Sequence, residues 1–231
     1  MRHDLRGILP AGMNVQILSA TPTGDRRIYM GAERKTQQRT IESRKKLLHA
    51  AYKLFVEKGY YNTNTKEITR YAGISIGNFY NYYQDKGEIY CALLREYTAD
   101  SCRAMQELTD QLTALESRSA YKDFLSSYLR QLLSRAADTK KFFEDSIVIA
   151  KENPRIQSIL SGTEEDLTAI METFLRNRYP DKQEDFHIKA RMVYVITDKV
   201  AKDILKVDNK QQKEVYMQYF IELILHFSFD L

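Results

Sequence analysis

The sequence predicts an all-α protein of about nine helices. Three observations point to this class: amphipathic stretches with helical spacing follow one another along the chain, helix-start and helix-stop residues separate them, and no segment alternates apolar and polar residues as a strand does. At 231 residues, the chain can hold one domain of ordinary size or two small ones with a sizeable core.

The first 35 residues come before any sustained helical pattern. They contain four of the nine glycines and two of the four prolines, which favours a flexible extension over residues 1–35. The first helix is expected at about 38–58. Lys58 and Gly59 end it, because a cation suits the last turn of a helix and a glycine suits the left-handed position that follows.

Two short helices separated by a tight turn come next. Asn64 and Glu67 have the spacing of a capping box for the second helix, and Ser75 is a suitable N-cap for the third. The turn between them contains Gly73, which supplies the positive φ that such a sharp turn needs.

Six further helices are expected towards the C-terminus. Their start and stop residues place them at about 86–112, 120–136, 139–152, 155–178, 182–206 and 210–228. The helix at 182–206 is expected to start after an Asp181-x-x-Glu184 cap. The last two helices are apolar on more than one face, so each must bury more than one face.

Positive charge is concentrated in the N-terminal part of the chain. Residues 1–90 contain 15 Lys and Arg against 8 Asp and Glu, a net charge of +7, whereas residues 91–231 carry a net charge of −3. This imbalance indicates a polyanionic partner for the N-terminal part. A solvated charged surface is the alternative, because charge alone does not distinguish the two.

The remaining composition predicts a cytoplasmic protein without a membrane anchor. Cys91 and Cys102 form neither a disulfide framework nor a C-x-x-C pair, which is typical of a reducing compartment. No stretch approaches 18 consecutive apolar residues, and Pro10 and Gly12 interrupt the short apolar run near the N-terminus. Neither a membrane span nor a signal peptide is therefore expected.

The third helix and its flanks carry side chains that suit a DNA duplex. In a helix-turn-helix, the first turn of the second helix of the motif approaches the base edges. Asn78 and Asn81 can hydrogen-bond base edges, Ile76 can contact a thymine methyl group, and Gly77 permits a close approach. Side chains suited to phosphate oxygens surround them: Thr65, Lys66, Tyr80, Tyr82 and Lys86. The alternative is that the tyrosines are packing aromatics of a small three-helix domain.

Many residues at fixed spacing within about residues 40–90 agree with one known pattern. They are Gly59, Asn64, Thr65, Ile68, Ala72, Gly73, Ile74, Ser75, Gly77, Phe79, Tyr80, Tyr82 and Lys86. This segment strongly resembles the DNA-binding domain of the TetR family of bacterial transcription regulators. Two positions depart mildly from the family's pattern, since Thr69 stands where Ala is frequent and Tyr83 stands where Phe is frequent.

The resemblance implies a division of the chain into three regions. After the flexible extension at 1–35, residues 36–85 would form a helix-turn-helix DNA-binding domain, and residues 86–231 an effector-binding and dimerisation domain. It implies a homodimeric repressor that binds an imperfectly palindromic operator and is released by a small-molecule effector. The effector would act by shifting the fourth helix, and with it the separation of the two DNA-binding domains.

The two last helices indicate dimerisation without reference to the family. Their apolar faces at 188–205 and 215–227 are too extensive for the edge of a monomer and suit an interface that resembles a four-helix bundle. Burial in the core of the same domain would account for part of them. In the last helix, Val215, Tyr216, Tyr219, Phe220, Leu223, Ile224 and Phe227 form one stripe, and Met217, Ile221 and Leu225 lie outside it.

Candidate effector-binding residues are large side chains of the helices beyond residue 86. They are Tyr97, Phe124, Tyr128, Phe143, Met171, Phe174 and Tyr194. Such a set would fit an aromatic or amphipathic ligand. A stripe of aromatics at helical spacing is also typical of a core, so both interpretations remain open.

Three other functional classes are alternatives to this one. An enzyme is not expected, because the four histidines are dispersed and the chain has neither a glycine-rich phosphate loop nor metal-ligand spacing, so no cofactor or metal is expected either. A DNA-binding protein without a small-molecule effector remains open. A protein that coats nucleic acid without specificity would be basic throughout, unlike residues 91–231.

Overall fold

The computed structural model describes the backbone of residues 30–228, and the side chains of residues 37–134 and 139–228. Within that range it contains eight helices and no strand, which confirms the all-α class. The helices are α1 (Met30–Lys58), α2 (Thr65–Ala72), α3 (Ile76–Phe79), α4 (Lys86–Thr113), α5 (Arg118–Ala150), α6 (Pro154–Arg178), α7 (Phe186–Ile204) and α8 (Lys210–Ser228).

The two helices expected near 120–136 and 139–152 are one continuous helix, α5. Neither a glycine nor a proline occurs between Arg118 and Ala150, so nothing in the backbone chemistry ends the helix in between. The boundary expected between residues 136 and 139 is therefore wrong, and both stretches belong to α5.

The start of α1 lies earlier than the sequence pattern indicated. Helical backbone begins at Met30, so the last six residues of the extension expected over residues 1–35 belong to α1. The rest of that expected extension, residues 1–29, lies outside the described residues.

The start of α7 lies later than expected. Its N-cap is Asp185, whose carboxylate accepts the backbone N–H of Ile188 at 3.1 Å, so the cap expected at Asp181-x-x-Glu184 is wrong. Capping at Asp185 starts the helix directly at Phe186, which is 2% exposed. Burial of that ring thus selects the later of two possible caps.

The local signals around α2 and α3 are confirmed. Gly59 and Gly73 adopt positive φ of 84° and 65° after α1 and α2. Both bonds of the capping box form: the Asn64 side chain accepts the Glu67 N–H at 3.0 Å, and the Glu67 carboxylate accepts the Asn64 N–H at 3.1 Å. Ser75 accepts the Asn78 N–H at 3.3 Å and caps α3.

The chain divides into two compact units. The N-terminal unit comprises the described residues up to Glu96 together with Lys141–Ile156, and the C-terminal unit comprises Tyr97–Lys140 and residues from Gln157 onward. The N-terminal unit is thus larger than the region 36–85 assigned from sequence, because residues of α4, α5 and α6 pack within it.

Aromatic packing accounts for the presence of Lys141–Ile156 in the N-terminal unit. The Tyr90 ring lies 4.7 Å from the Phe142 ring and 5.1 Å from the Phe55 ring, and all three side chains are almost completely buried. The Tyr90 hydroxyl donates to the Phe142 carbonyl at 2.5 Å. Burial raises the pKa of Tyr90 far above its ordinary value, so this hydroxyl stays protonated.

The core of the C-terminal unit is a cluster drawn from five helices. It includes Leu108 and Leu112 of α4, Tyr121, Leu125, Leu129 and Leu133 of α5, Met171, Phe174 and Leu175 of α6, Phe186, Ala190, Val193 and Ile204 of α7, and Met217, Phe220, Ile221, Ile224 and Leu225 of α8. The Tyr179 hydroxyl donates to the Ser228 carbonyl at 3.2 Å and ties the end of α8 to the end of α6.

The inward face of α8 takes residues from inside and outside the expected apolar stripe: Phe220 and Ile224 of the stripe are buried in the core. Met217, Ile221 and Leu225, which lie outside the expected stripe, are at most 3% exposed. Val215 and Tyr219, which belong to that stripe, are 45% and 75% exposed. The core therefore includes only part of the expected stripe, and Val215 and Tyr219 stay at the surface.

Replacing Phe142 by Ala should lower the free energy of unfolding by about 3–5 kcal/mol, because a ring 1% exposed leaves a cavity beside Tyr90 and Phe55. Val148→Ala on the same helix is the matched control; Val148 is 47% exposed, and its truncation should cost about 0.5 kcal/mol or less. Urea denaturation monitored by circular dichroism measures both. Equal effects would show that Phe142 does not hold α5 in the N-terminal unit.

Candidate nucleic-acid interface

The segment from Ser75 to Gln84, called here the recognition segment, is less helical than the sequence suggests. Only Ile76–Phe79 forms α3, and Tyr80 follows as its C-cap. Asn81 and Tyr82 lie in turns after the helix instead of on it. The candidate DNA-binding side chains are therefore presented by one helical turn and the turn that follows it.

Four candidate base-contacting residues lie on the outside of the recognition segment. Ile76 is 40% exposed, Gly77 and Asn81 are exposed, and Asn78 is half-buried. A Cβ added to Gly77 would meet no heavy atom within 4 Å, so packing within the described chain does not require glycine there. An exposed apolar side chain beside an exposed glycine suits a partner that approaches closely.

The two candidate asparagines interact with each other. The Asn81 side-chain amide donates to the Asn78 side-chain carbonyl at 3.2 Å. This bond joins the two amides into one polar edge on the exposed side of the recognition segment, which limits the orientations that either side chain adopts before a partner binds.

The interior of the recognition segment is aromatic. Phe79 is fully buried, and its ring lies 5.8 Å from that of Tyr83, which is 3% exposed. The ring of Tyr80 packs edge-on against Phe79 at 5.4 Å but remains 56% exposed, whereas Tyr82 is half-buried. Tyr80 therefore has a buried support and a hydroxyl open to a partner, and Tyr83 belongs to the core.

The N-terminus of α2 is less open to a phosphate than the helix dipole alone predicts. Thr65 is half-buried and Lys66 is exposed, but the Glu67 carboxylate already occupies the capping box. A hydrogen bond from Lys58, at 2.6 Å, and the backbone N–H of Asn64 both lower the pKa of Glu67, which stays ionised. A second anion there would meet this negative charge.

Lys86 contacts other parts of the N-terminal unit. Its Nζ donates to the carbonyl of Tyr60 at 2.7 Å and to that of Thr63 at 2.8 Å, and it lies 4.0 Å from the centre of the Tyr60 ring. Burial lowers the pKa of Lys86, and the carboxylate of Asp145 opposes that shift. Two of its three N–H donors thus hold the loop between α1 and α2.

The seven candidate effector-binding residues do not form one cluster within a compact unit. Phe143 lies in the N-terminal unit and the other six lie in the C-terminal unit. Met171 and Phe174 are core residues, 8% and 3% exposed, which agrees with the alternative that large side chains at helical spacing form a core. The Phe124 and Tyr128 rings stack at 6.3 Å against that core, and Tyr97 and Tyr194 are half-buried. Burial raises the pKa of Tyr194 to about 12.

A groove of about 410 Å³ lies in the N-terminal unit, and none of these seven residues lines it. Its walls are Gln84, Asp85, Gly87, Glu88, Cys91, Asn153, Pro154 and Arg155. Burial raises the pKa of the Cys91 thiol, so this side chain is a poor nucleophile. No local sequence pattern indicates this groove, because its two walls are more than 60 residues apart in the chain.

One polar contact at the recognition segment was also missed. The Arg44 Nε donates to the Tyr83 hydroxyl at 3.3 Å and links α1 to the end of the recognition segment. The available signal was Tyr83 itself, because a buried tyrosine usually needs a partner for its hydroxyl.

Within the described residues, a capped α2, a glycine turn and a partly exposed α3 have the arrangement of a helix-turn-helix, a motif with which other proteins bind DNA. The sequence model described as "Bacterial regulatory proteins, tetR family" matches residues 47–93. The chain is 34% identical over 85 residues to the HTH-type transcriptional regulator HbdR of Aromatoleum sp., covering 35% of this chain and 37% of HbdR. It is 33% identical over 104 residues to the uncharacterised regulator YuxN of Bacillus subtilis, covering 39% and 35%.

Those matches span about a third of the length of the curated relatives, whereas similarity of fold extends further. A Mesorhizobium loti protein assigned to the TetR-family transcriptional regulators superposes with a TM-score of 0.67 at 16% identity, over 82% of this chain and 96% of that one. The regulator FadR of Bacillus subtilis, solved with stearoyl-CoA, gives 0.56 at 17%, over 80% and 98%. Residues 47–93 therefore match the TetR family of bacterial regulators, and the fold of the described chain resembles that of solved transcriptional regulators.

No helix in the described part of the chain combines the length and the hydropathy that crossing a membrane requires.

Replacing Lys86 by Met should lower the free energy of unfolding by about 1–3 kcal/mol, because two carbonyl oxygens lose a charged donor. Lys66→Met removes the same charge from an exposed position and should change stability by about 0.5 kcal/mol or less. Chemical denaturation of both variants measures the difference. If Lys86→Met is as stable as Lys66→Met, the hydrogen bonds to Tyr60 and Thr63 do not hold the loop.

Proposed function

We propose that this protein is a cytoplasmic, sequence-specific DNA-binding regulator: a repressor that binds a palindromic operator as a homodimer and is released by a small-molecule effector. The observation that carries the DNA-binding part is the recognition segment. It combines a buried aromatic support with an exposed edge of polar and apolar side chains. Such an edge is more useful for contacting base edges in the major groove than for packing.

The base-contacting side chains favour particular base pairs. Asparagine amides pair in a bidentate manner with N6 and N7 of adenine, and an aliphatic side chain contacts the thymine methyl group. Asn78, Asn81 and Ile76 would therefore select A·T pairs in the major groove, while Gly77 admits the groove wall. Discrimination of about 1–3 kcal/mol for each good bidentate pair is expected.

The residues assigned to phosphates would fix the orientation of the recognition segment on the duplex without selecting sequence. Tyr80 is the strongest of them, because Phe79 supports its ring while more than half of the residue is exposed. Thr65, Lys66, Tyr82 and Lys86 complete the proposed set. Lys86 would contribute through the N–H that its two carbonyl partners do not use.

The homodimer is supported by large apolar side chains at the surface of α7 and α8. Ile188, Met192, Val195, Val215, Tyr216 and Tyr219 are between 43% and 75% exposed. Residues 188, 192 and 195 have the spacing of one helical face, as do 215 and 219. A second copy that packed α7 and α8 against these faces would remove them from water. A two-fold dimer would present two recognition segments to a palindromic operator.

The proposed effector is a small molecule held by the C-terminal unit. The support is indirect: FadR of Bacillus subtilis, which shares the fold, was solved with stearoyl-CoA. Since Met171 and Phe174 are packed in the core, a ligand would have to enter beside the less buried Phe124 and Tyr128. Binding would then shift the population of dimers towards a form unable to engage DNA.

A regulator without a small-molecule effector is the second candidate. The packing of Met171 and Phe174 favours it, because these two candidate effector-binding side chains belong to the core. Thermal unfolding of the purified protein against fatty-acyl-CoA esters and aromatic acids separates the two, since a ligand of the folded state raises the unfolding temperature.

Selection of bound fragments from genomic DNA tests the proposed function directly. The fragments should share an imperfect palindrome rich in A·T pairs at the contacted positions, and the bound protein should protect both half-sites. Enrichment of no common sequence would contradict sequence-specific binding. If the protein activates transcription from such a fragment in vitro, it is an activator, and the proposal that it is a repressor is wrong.

Asn78→Ala and Tyr80→Ala should separate base contacts from phosphate contacts. Asn78→Ala should weaken binding to the selected operator by about 1–3 kcal/mol while leaving binding to a random duplex unchanged. Tyr80→Ala should weaken both by similar factors, because phosphates are present in every sequence. Fluorescence anisotropy with both duplexes measures the effects. Equal losses on both duplexes for Asn78→Ala would remove it from the base contacts.

Tyr219→Glu should convert the dimer into a monomer, because it places a charge in the middle of the proposed apolar interface. Leu132→Glu is the matched control, since Leu132 is also an exposed apolar residue of the C-terminal unit, at 41%, but lies on α5. Sedimentation equilibrium at micromolar concentration measures the mass of each variant. A monomeric wild-type protein would refute the dimer.

A further inference from the structure

We infer that Arg44 is a phosphate-binding residue, held beside the recognition segment by the hydroxyl of Tyr83. The inference rests on the proposed DNA-binding function and adds a contact from α1 to it. None of the nine DNA-contacting residues assigned from sequence lies on α1.

The position of Arg44 follows from a contact across almost 40 residues of sequence. Its Nε donates to the Tyr83 hydroxyl at 3.3 Å. Tyr83 is 3% exposed, and its backbone N–H donates to the Phe79 carbonyl at 3.0 Å. The ring that holds Arg44 therefore cannot move independently of α3.

Arg44 is exposed although it makes this contact. The bond uses Nε, which leaves the terminal nitrogens of the planar guanidinium for a partner. Arginine binds phosphate oxygens through such paired donors. Tyr80 and Tyr82, which are assigned to phosphates, lie within three residues of Tyr83 in the chain, so the bond to Tyr83 anchors Arg44 to the recognition segment that carries them.

The hydroxyl of Tyr83 suits the task of orienting a guanidinium. Burial raises the pKa of Tyr83 above its ordinary value, so it stays a neutral hydroxyl that accepts from Nε. Fixing one nitrogen removes part of the rotamer freedom that a free arginine would lose on binding DNA. A phenylalanine at position 83 would pack similarly but would leave Arg44 unheld.

The competing explanation is that Arg44 only balances the negative charge of nearby carboxylates. The hydrogen bond to Tyr83 raises the pKa of Arg44 most, and the carboxylate of Glu96 adds to that rise. Glu96 and Glu88 also act on Tyr83. If Arg44 served only to balance these charges, its loss would alter stability but not the number of phosphates contacted.

The salt dependence of DNA binding distinguishes these explanations. Affinity for a random-sequence 30-bp duplex would be measured by fluorescence anisotropy between roughly 0.05 and 0.3 M salt, with the folded state checked by circular dichroism. Arg44→Met should make the slope of log affinity against log salt shallower by about 0.9, and weaken binding roughly five- to tenfold near 0.1 M salt. Arg44→Lys, which keeps the charge, should retain the wild-type slope.

Lys46→Met is the matched control for charge. Lys46 is exposed on the same helix. Because it is two residues further along α1 than Arg44, it faces nearly the opposite side of the helix. Its removal should leave the slope unchanged. A slope altered equally by Arg44→Met and Lys46→Met, or by neither, would overturn the assignment.

Tyr83→Phe tests the role of the hydroxyl. It should weaken binding severalfold in the wild-type background and have little further effect in the Arg44→Met background, because the two side chains act as one unit. Additive losses would show that Tyr83 does not act through Arg44. A wild-type protein that binds no duplex would contradict the proposed function itself, whereas wild-type binding with an unchanged Arg44→Met slope would overturn only this inference.

Discussion

Burial of Phe79 is the constraint on which the proposed DNA-binding surface depends. A helix of four residues cannot stabilise itself, because nucleating a helix fixes several residues for very few hydrogen bonds. The recognition segment keeps its shape because Phe79 is fully buried, Tyr83 packs beside it, and Ser75 caps the single turn. Tertiary packing, not helix propensity, therefore places Asn78 and Tyr80 at the surface.

The same dependence extends to the rest of the N-terminal unit. Tyr90 packs on Phe142, and the backbone N–H of Tyr60 donates to the Asp145 carboxylate at 2.5 Å, so α5 supports the loop between α1 and α2. A Cβ on Gly59 would lie 2.8 Å from that carboxylate, so glycine is needed there for space as well as for its positive φ. α5 contributes residues to both compact units.

Sequence reasoning succeeded where the determinants are local. Gly73 and the Asn64–Glu67 box were identified correctly because a positive φ and a capping bond involve residues at most three apart. It failed where the choice depends on distant residues. Local sequence shows neither that Lys141–Ile156 joins the N-terminal unit nor that Arg44 is the partner of the Tyr83 hydroxyl, since the contacting residues lie about 40 to 90 residues apart.

The net charge of the N-terminal part overstates the charge available to DNA. Lys58 forms an ion pair with Glu67, and Lys86 donates two hydrogen bonds to backbone carbonyls. Both are therefore less available to bind phosphates than the composition suggests. Lys66 and Arg44 are exposed and belong to the proposed DNA-binding surface, together with the exposed hydroxyl of Tyr80. Since only charged contacts release counterions, binding should depend on salt less steeply than a charge of +7 implies. Hydrogen bonds and apolar contacts to base edges would then supply a correspondingly larger share of the affinity for an operator.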